Sequence, residues 1–227
     1  MYLAADGANP LQLGTYLDGR WGRVGDLLWT HAWLSVLPVV IGLVLALPLG
    51  YLANRYRWAF LPMVSLSGLL YTIPSIALFV VMPGILGIQI LDPLNVVVAL
   101  SVYSLALLVR VVADGLASVP PEIEQAATAM GYTRGQRLIK VDLPLAVPVI
   151  AAGLRVAVVS NVSMVAIAGV IGVTNLGQFF VDGLQLSYFP PTYVGVITCV
   201  LLAVVLDLVI VAGNRLATPW RRAVPAR

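Results

Sequence analysis

Five stretches of the sequence are long and apolar enough to cross a lipid bilayer as α-helices. A helix needs about 20 mainly apolar residues to span the hydrocarbon. The stretches cover roughly residues 32–53, 61–82, 94–112, 148–173 and 194–213. With 60% hydrophobic and only 10% charged residues, the 227-residue chain lies outside the range of ordinary soluble domains. We therefore predict an all-α membrane protein with five transmembrane helices in one domain.

The distribution of basic residues predicts the orientation of these helices. Short cytoplasmic loops are enriched in Lys and Arg, and an external N-terminus with a cytoplasmic C-terminus places ten basic residues on the inner side. They are Arg55, Arg57, Arg110, Arg134, Arg137, Lys140, Arg215, Arg221, Arg222 and Arg227. The outer loops 83–93 and 174–193 contain no Lys or Arg, and only Arg20 and Arg23 depart from the rule.

This orientation predicts an external or interfacial segment 1–27, a transmembrane domain 28–215 and a cytoplasmic tail 216–227. The net charge of +3 is then a consequence of topology, so we expect no nucleic-acid partner.

A polar segment, residues 120–144, interrupts the apolar pattern. Its leading proline pair favours a helix start, and Glu122 and Glu124 in the first turn suit the helix dipole. Gly131 is a natural helix end. The residues between form a shallow apolar face of Ile123, Ala126, Ala127 and Met130. A flat face of this kind fits a groove on a partner protein.

A second short helix is predicted directly after the first. Thr133 and Gln136 have the spacing of a capping box, and Arg134, Arg137 and Lys140 keep this helix out of the hydrocarbon. We expect the pair of helices, in a cytoplasmic loop of about residues 115–144, to be a docking element.

The sequence offers little chemistry of its own. A phosphate-binding loop needs a lysine after glycine, and the only lysine, Lys140, follows Ile139. The single histidine, His31, lies between Trp29 and Trp33, as in an interfacial aromatic belt. No residues have the spacing of a metal site or of a catalytic triad. We expect no enzymatic activity and no cofactor in this chain.

Several polar or helix-disturbing residues lie in the apolar stretches and the following external loop. The candidates for a solute path or gate are Tyr71, Thr72, Pro74, Ser75, Ser160, Asn161, Ser163 and Asn175. The alternative is that such residues form hydrogen bonds between packed helices. Sequence alone does not decide between the two.

Two ionisable residues, Arg155 and Asp207, lie inside apolar stretches. An unpaired charge in the membrane is costly, so we expect them to neutralise each other or to face a cleft between subunits. For Arg155 the alternative is that its side chain extends to the membrane interface.

The polar segment resembles a known motif. Permease subunits of ATP-binding-cassette (ABC) importers carry Glu-Ala-Ala, three residues, Gly, nine residues, and Ile-x-Leu-Pro in a cytoplasmic loop. Here Gln125-Ala126-Ala127 precedes Gly131 by that spacing, and Val141-Asp142-Leu143-Pro144 follows at the expected distance. Gln125 replaces the glutamate of the motif, and Val141 replaces its isoleucine.

Three further runs are similar to the subgroup that imports quaternary-ammonium osmoprotectants such as glycine betaine, choline and carnitine. They are residues 71–78, 115–122 and 171–177, and the resemblance covers about residues 27–215. It implies a type I importer fold with two permease subunits, an extracytoplasmic solute-binding protein, and two ATPase subunits that bind ATP and Mg²⁺. The residues expected to couple to the ATPase are Glu122, Glu124, Gln125, Ala126, Ala127, Gly131, Arg134, Leu143 and Pro144.

Other functions stay open at this point. A permease for amino acids or methionine would share the docking loop and differ in cargo. An ion-coupled secondary transporter would need no ATPase, but it predicts more intramembrane carboxylates and inverted repeats than the sequence contains.

Overall fold

The computed structural model describes residues 13–220, apart from the side chains of Arg57, Ala59, Val64 and Ser67. Within these residues every regular element is helical. The α-helices are α1 Leu13–Leu17, α2 Trp21–Arg55, α3 Arg57–Thr72, α4 Ser75–Leu86, α5 Pro93–Ala117, α6 Pro121–Ala129, α7 Arg134–Arg137, α8 Leu143–Val170, α9 Gln178–Gln185 and α10 Pro190–Ala217. A π-helical turn, Leu138–Asp142, joins α7 to α8.

Four segments are long and apolar enough to cross a membrane. They are α2, α5, the continuous run from α7 through α8, and α10. The pair α3 and α4 supplies a fifth span if its two bent halves are taken together. The expected all-α membrane fold is confirmed, with four uninterrupted candidate spans in the described residues and a bent helix pair in the place of the predicted second span.

The second apolar stretch is not the single continuous helix that we predicted. The axes of α3 and α4 meet at 101°. Pro74 explains the break, because proline has no amide hydrogen and disfavours helical backbone in the preceding residue. Ile73 is accordingly extended, with φ −69° and ψ 128°. The hydroxyl of Tyr103 on α5 donates to the freed Ile73 carbonyl, which therefore needs no water.

The first apolar stretch is the C-terminal part of a longer helix, α2. α2 continues through Pro38 and Pro48 without a break. His31 is fully buried and its Nε2 donates to the Val162 carbonyl at 2.9 Å, so it packs between α2 and α8 and does not face lipid as a residue of an aromatic belt would. Trp29 is exposed, as an interfacial aromatic would be.

Small residues set the spacing of the central helices. A Cβ atom on Gly42 would lie 2.6 Å from Ser104 Cβ, and one on Gly50 would lie 2.6 Å from Val112 Cβ. These contacts, eight residues apart on both helices, show that α2 and α5 run parallel in close contact. Membrane helices gain packing energy by such close approach, which larger side chains would prevent.

α5 is the central helix of the subunit. In its most apolar window 67% of the residues are buried, against 17% for α10. α5 also packs antiparallel to α8, where Gly115 faces Ala146 and Ile150. α10 therefore lies at the edge of the subunit, with one face available to lipid or to another subunit.

Basic residues from separate loops gather at one end of the helix bundle. Arg55 at the end of α2 lines a cavity of about 400 Å³ together with Arg134 and Arg137. At the opposite end Arg23 pairs with Asp182 at 2.8 Å. Three of the predicted cytoplasmic arginines, from two separate loops, therefore share one end of the bundle, in agreement with the positive-inside rule.

We predict that Gly42→Val or Gly50→Val destabilises the subunit by about 1–3 kcal/mol, the usual effect of inserting atoms into a packed interior. The control is Gly213→Val, because a Cβ atom at Gly213 meets nothing within 4 Å. Thermal unfolding of the purified subunit in detergent measures the effect. Equal unfolding temperatures for the three variants would contradict the close α2–α5 contact.

Candidate coupling site

The polar segment begins with α6, whose two ends are fixed by local interactions. Pro120 is the N-cap residue and Pro121 the first helical residue, where a missing amide hydrogen has no cost. Glu122 and Glu124 lie in the first turn. The predicted helix start is confirmed by this geometry.

α6 ends in a Schellman motif around Gly131. The amide of Gly131 donates to the Thr128 carbonyl at 3.0 Å, and the amide of Tyr132 donates to the Ala127 carbonyl at 3.2 Å. Gly131 has a φ of +86°, a left-handed conformation that glycine adopts at little cost. The predicted helix end at Gly131 is therefore also confirmed.

The second polar helix starts as predicted but is not a separate helix. Thr133 and Gln136 form the capping box, with the Thr133 amide 2.9 Å from Gln136 Oε1. α7 then passes through the π-helical turn directly into α8. Leu143 and Pro144 lie in the first turn of α8. The start of the fourth transmembrane helix thus lies within the polar segment.

The predicted apolar face of α6 is split between inside and outside. Ala127 is only 2% exposed, whereas Met130 is 70% exposed and Ile123 is also exposed. Gln125 and Ala126 are on the exposed side too. The exposed apolar side chains of α6 are therefore Ile123, Ala126 and Met130, and Ala127 packs against the rest of the subunit.

Arg137 joins the two halves of the polar segment. Its Nη2 lies 3.1 Å from Glu124 Oε2 on α6, and its Nε lies 3.2 Å from Asp142 Oδ2 at the start of α8. Sequence reasoning did not select Arg137 and Asp142 as a pair. In an α-helix residues five apart point about 140° away from each other, and only the π-helical turn, with its i→i+5 bonds, brings them together.

The candidate path residues fall into two groups. Tyr71, Thr72 and Pro74 are exposed at the break between α3 and α4, with Ser75 half-buried there. The Tyr71 ring packs edge-on against Tyr103, with centroids 5.5 Å apart. On α8, Ser163 is exposed and Ser160 half-buried.

Asn161 and Asn175 are buried and engaged in packing. Asn161 Nδ2 donates to Ser104 Oγ at 3.1 Å and to the Ser35 carbonyl at 3.2 Å, which connects α8 to α5 and α2. Asn175 Oδ1 accepts from the Gly177 amide at 2.6 Å. That turn precedes α9, a short helix in the loop between α8 and α10.

The two charges inside the spans form a bidentate ion pair. Arg155 Nε lies 2.6 Å from Asp207 Oδ1, and Nη2 lies 2.9 Å from Oδ2. The side chains are 47% and 25% exposed in the isolated subunit. Charged residues in membrane spans usually pair with one another and face a bundle interior or a hydrated cavity. The pairing that we considered from sequence is present, and Arg155 does not need to extend to the interface.

The sequence matches the family model described as "Binding-protein-dependent transport system inner membrane component" over residues 38–222. The chain belongs to this family. It is a multi-pass inner-membrane permease subunit of an ABC importer, and membership implies an ATPase and a solute-binding protein as partners. The expected importer class is therefore confirmed.

The chain is also similar in sequence to permease proteins of osmoprotectant transport systems. The osmoprotectant import permease protein OsmW of Salmonella typhimurium is 38% identical over 85% of this chain and 90% of its own length. The glycine betaine/carnitine/choline transport system permease protein OpuCD of Bacillus subtilis is 33% identical over 93% and 91%. The similarity to osmoprotectant permeases is thus confirmed across nearly the whole chain.

Solved structures share the fold. An inward-facing MetNI methionine ABC transporter matches with a TM-score of 0.77 at 22% identity, over 88% of this chain and 99% of that one. An amino acid ABC transporter with histidines matches with a TM-score of 0.73 at 20% identity, over 92% and 99%. The type I importer permease fold is confirmed by these similarities.

We predict that Gly131→Ala weakens the end of α6, because a side chain in the left-handed conformation costs about 1–2 kcal/mol. Amide hydrogen exchange in residues 121–132 should then accelerate about tenfold. The matched control is Gly135→Ala in α7, where a Cβ atom also meets nothing within 4 Å but φ is not positive. Equal exchange in the two variants would contradict the assigned role of Gly131.

Proposed function

We propose that this chain forms the solute path of an ATP-driven importer for quaternary-ammonium osmoprotectants. The expected cargo is glycine betaine, choline, carnitine or proline. The observation that carries this proposal is the 38% identity to an osmoprotectant import permease over most of both chains. Choline and carnitine also occur in the names of other relatives that match over most of this chain.

The solute path is proposed to lie between two permease subunits, identical or related. Two features of the isolated subunit support this. The Arg155–Asp207 ion pair, whose aspartate lies on the sparsely buried α10, is partly exposed in the isolated subunit, and charged residues of membrane spans almost always face a bundle interior or a hydrated cavity. The break between α3 and α4 also exposes the aromatic ring of Tyr71, a surface suited to a permanent cation.

The source of energy is proposed to be a separate ATPase that binds ATP and Mg²⁺ on the cytoplasmic side. This chain has no phosphate-binding loop. We assign ATPase docking to the outward side of α6, with Gln125, Ala126 and Glu122, and to Arg134 beside it. Gly131 and Ala127 hold α6 in place, and Leu143 and Pro144 start the helix that must move.

Transport then follows from a two-state equilibrium. ATP binding draws the two ATPase subunits together and displaces both α6 helices. Because α7 continues into α8, displacement of the polar segment tilts the fourth transmembrane helix and changes which side of the path is open. Cargo selection is proposed to lie mainly with the external solute-binding protein.

The proposal is tested by purifying the tagged chain with its co-expressed partners and reconstituting the assembly in vesicles. We expect an ATPase to co-purify and labelled glycine betaine, choline or carnitine to enter only with ATP and the loaded binding protein. Labelled methionine and histidine test the alternative cargo. Uptake of methionine alone, or uptake driven by an ion gradient without ATP, would overturn the proposal.

A further inference from the structure

Arg137 lies between two elements that transport must move together. Glu124 is on α6, the helix assigned to ATPase docking, and Asp142 is the last residue before α8. Arg137 contacts both, at 3.1 Å and 3.2 Å. One guanidinium has separate N–H groups for two carboxylates, and its planar shape fixes the directions in which they are held.

The two contacts differ in strength. The side chain of Asp142 is only 9% exposed, and its Oδ1 has no hydrogen-bond partner among the described residues. Separating Arg137 from it would leave a buried carboxylate without compensation, which is strongly unfavourable. The side chain of Glu124 is 33% exposed, so this contact is the weaker one. We therefore expect Arg137 to move together with α8, through its stronger contact with Asp142. Its weaker contact with Glu124 connects α6 to this unit.

The π-helical turn explains why this contact forms here. It lies at residues 138–142, between Arg137 and α8. Such π-helical turns interrupt the regular α-helical hydrogen bonding and occur often at functional sites. A regular α-helix would carry the Asp142 carboxylate away from Arg137. The irregular turn places both carboxylates within reach of one arginine.

We infer that Arg137 is a positioning residue that transmits the displacement of α6 to α8 by bridging Glu124 and Asp142. This inference rests on the proposed function, since it concerns how ATP-driven motion reaches the solute path. Glu124 then serves the connection inside the subunit and does not contact the ATPase directly.

The first test is Glu124→Gln, which removes the weaker contact and leaves the buried Arg137–Asp142 pair intact. In the reconstituted complex we expect the amount of bound ATPase to be unchanged. Solute taken up per ATP hydrolysed should fall about five- to tenfold, the range of a modest coupling free energy. The matched control is Lys140→Gln, an exposed basic residue of the same turn, which should leave both quantities unchanged.

The second test is a double-mutant cycle with the neutral pair Arg137→Gln and Asp142→Asn. If Glu124 and Arg137 act as one connection, adding Glu124→Gln to that pair causes no further loss. Independent, additive losses would overturn the inference. If the Arg137 variants do not assemble, Glu124→Gln decides alone. Unchanged uptake per ATP, or loss of the bound ATPase, would then overturn it.

The outcome is separable from that of the proposed function. If the unaltered chain binds no ATPase, the proposed function fails. If the unaltered complex transports solute and Glu124→Gln does so equally well, only the role of Arg137 fails.

Discussion

Inside a bilayer the backbone has no water to bond with, and this constraint governs most of the structure. Every apolar stretch becomes helical because a helix satisfies its own amides and carbonyls. Where Pro74 breaks the helix, the hydroxyl of Tyr103 on α5 donates a hydrogen bond to the Ile73 carbonyl. Where Asn161 is buried, it bonds across to two other helices. Glycines on α2 let these helices approach closely enough for such bonds.

The bilayer also determines where the polar segment lies. Its helices carry charged residues that are costly to place in hydrocarbon, and this cost favours a position in water at the membrane surface. Their ends are fixed by a proline start, a Schellman motif and a capping box. α6 therefore has two fixed ends and is joined to α7 by the Schellman motif and the capping box. The π-helical turn then connects α7 to the transmembrane helix α8 without a flexible linker. A force applied outside the bilayer has a continuous structural route into it.

Local rules predicted a large part of this architecture. The ends of α6, the capping box at Thr133 and the positions of four spans depend on residues close together in the sequence, and all are present. The break at Pro74 was not predicted, because hydropathy is averaged over a window and does not register that proline lacks an amide hydrogen. The burial of His31, beside the exposed Trp29, depends on packing against α8, which no local pattern shows.

The candidate site was predictable only in part, for a similar reason. The spacing around Gly131 located the docking helix, but helical periodicity put Ala127 and Met130 on one face and the structure separates them. Arg137 and Asp142 could not be paired from the sequence, since their contact needs a π-helical turn. The Arg155–Asp207 pair could be predicted from the sequence, because an unpaired charge in hydrocarbon is costly whatever the detailed geometry of the helices.

The central claim is that the polar segment faces the cytoplasm and is covered there by an ATPase. Met130 is 70% exposed at the end of α6, so a cysteine at this position, in a Cys199→Ala background, reports its surroundings. A membrane-impermeant thiol reagent should label Met130→Cys in inside-out vesicles, not in intact cells, and bound ATPase should block the reaction. Labelling from outside the cell, or equal labelling with and without the ATPase, would contradict the account.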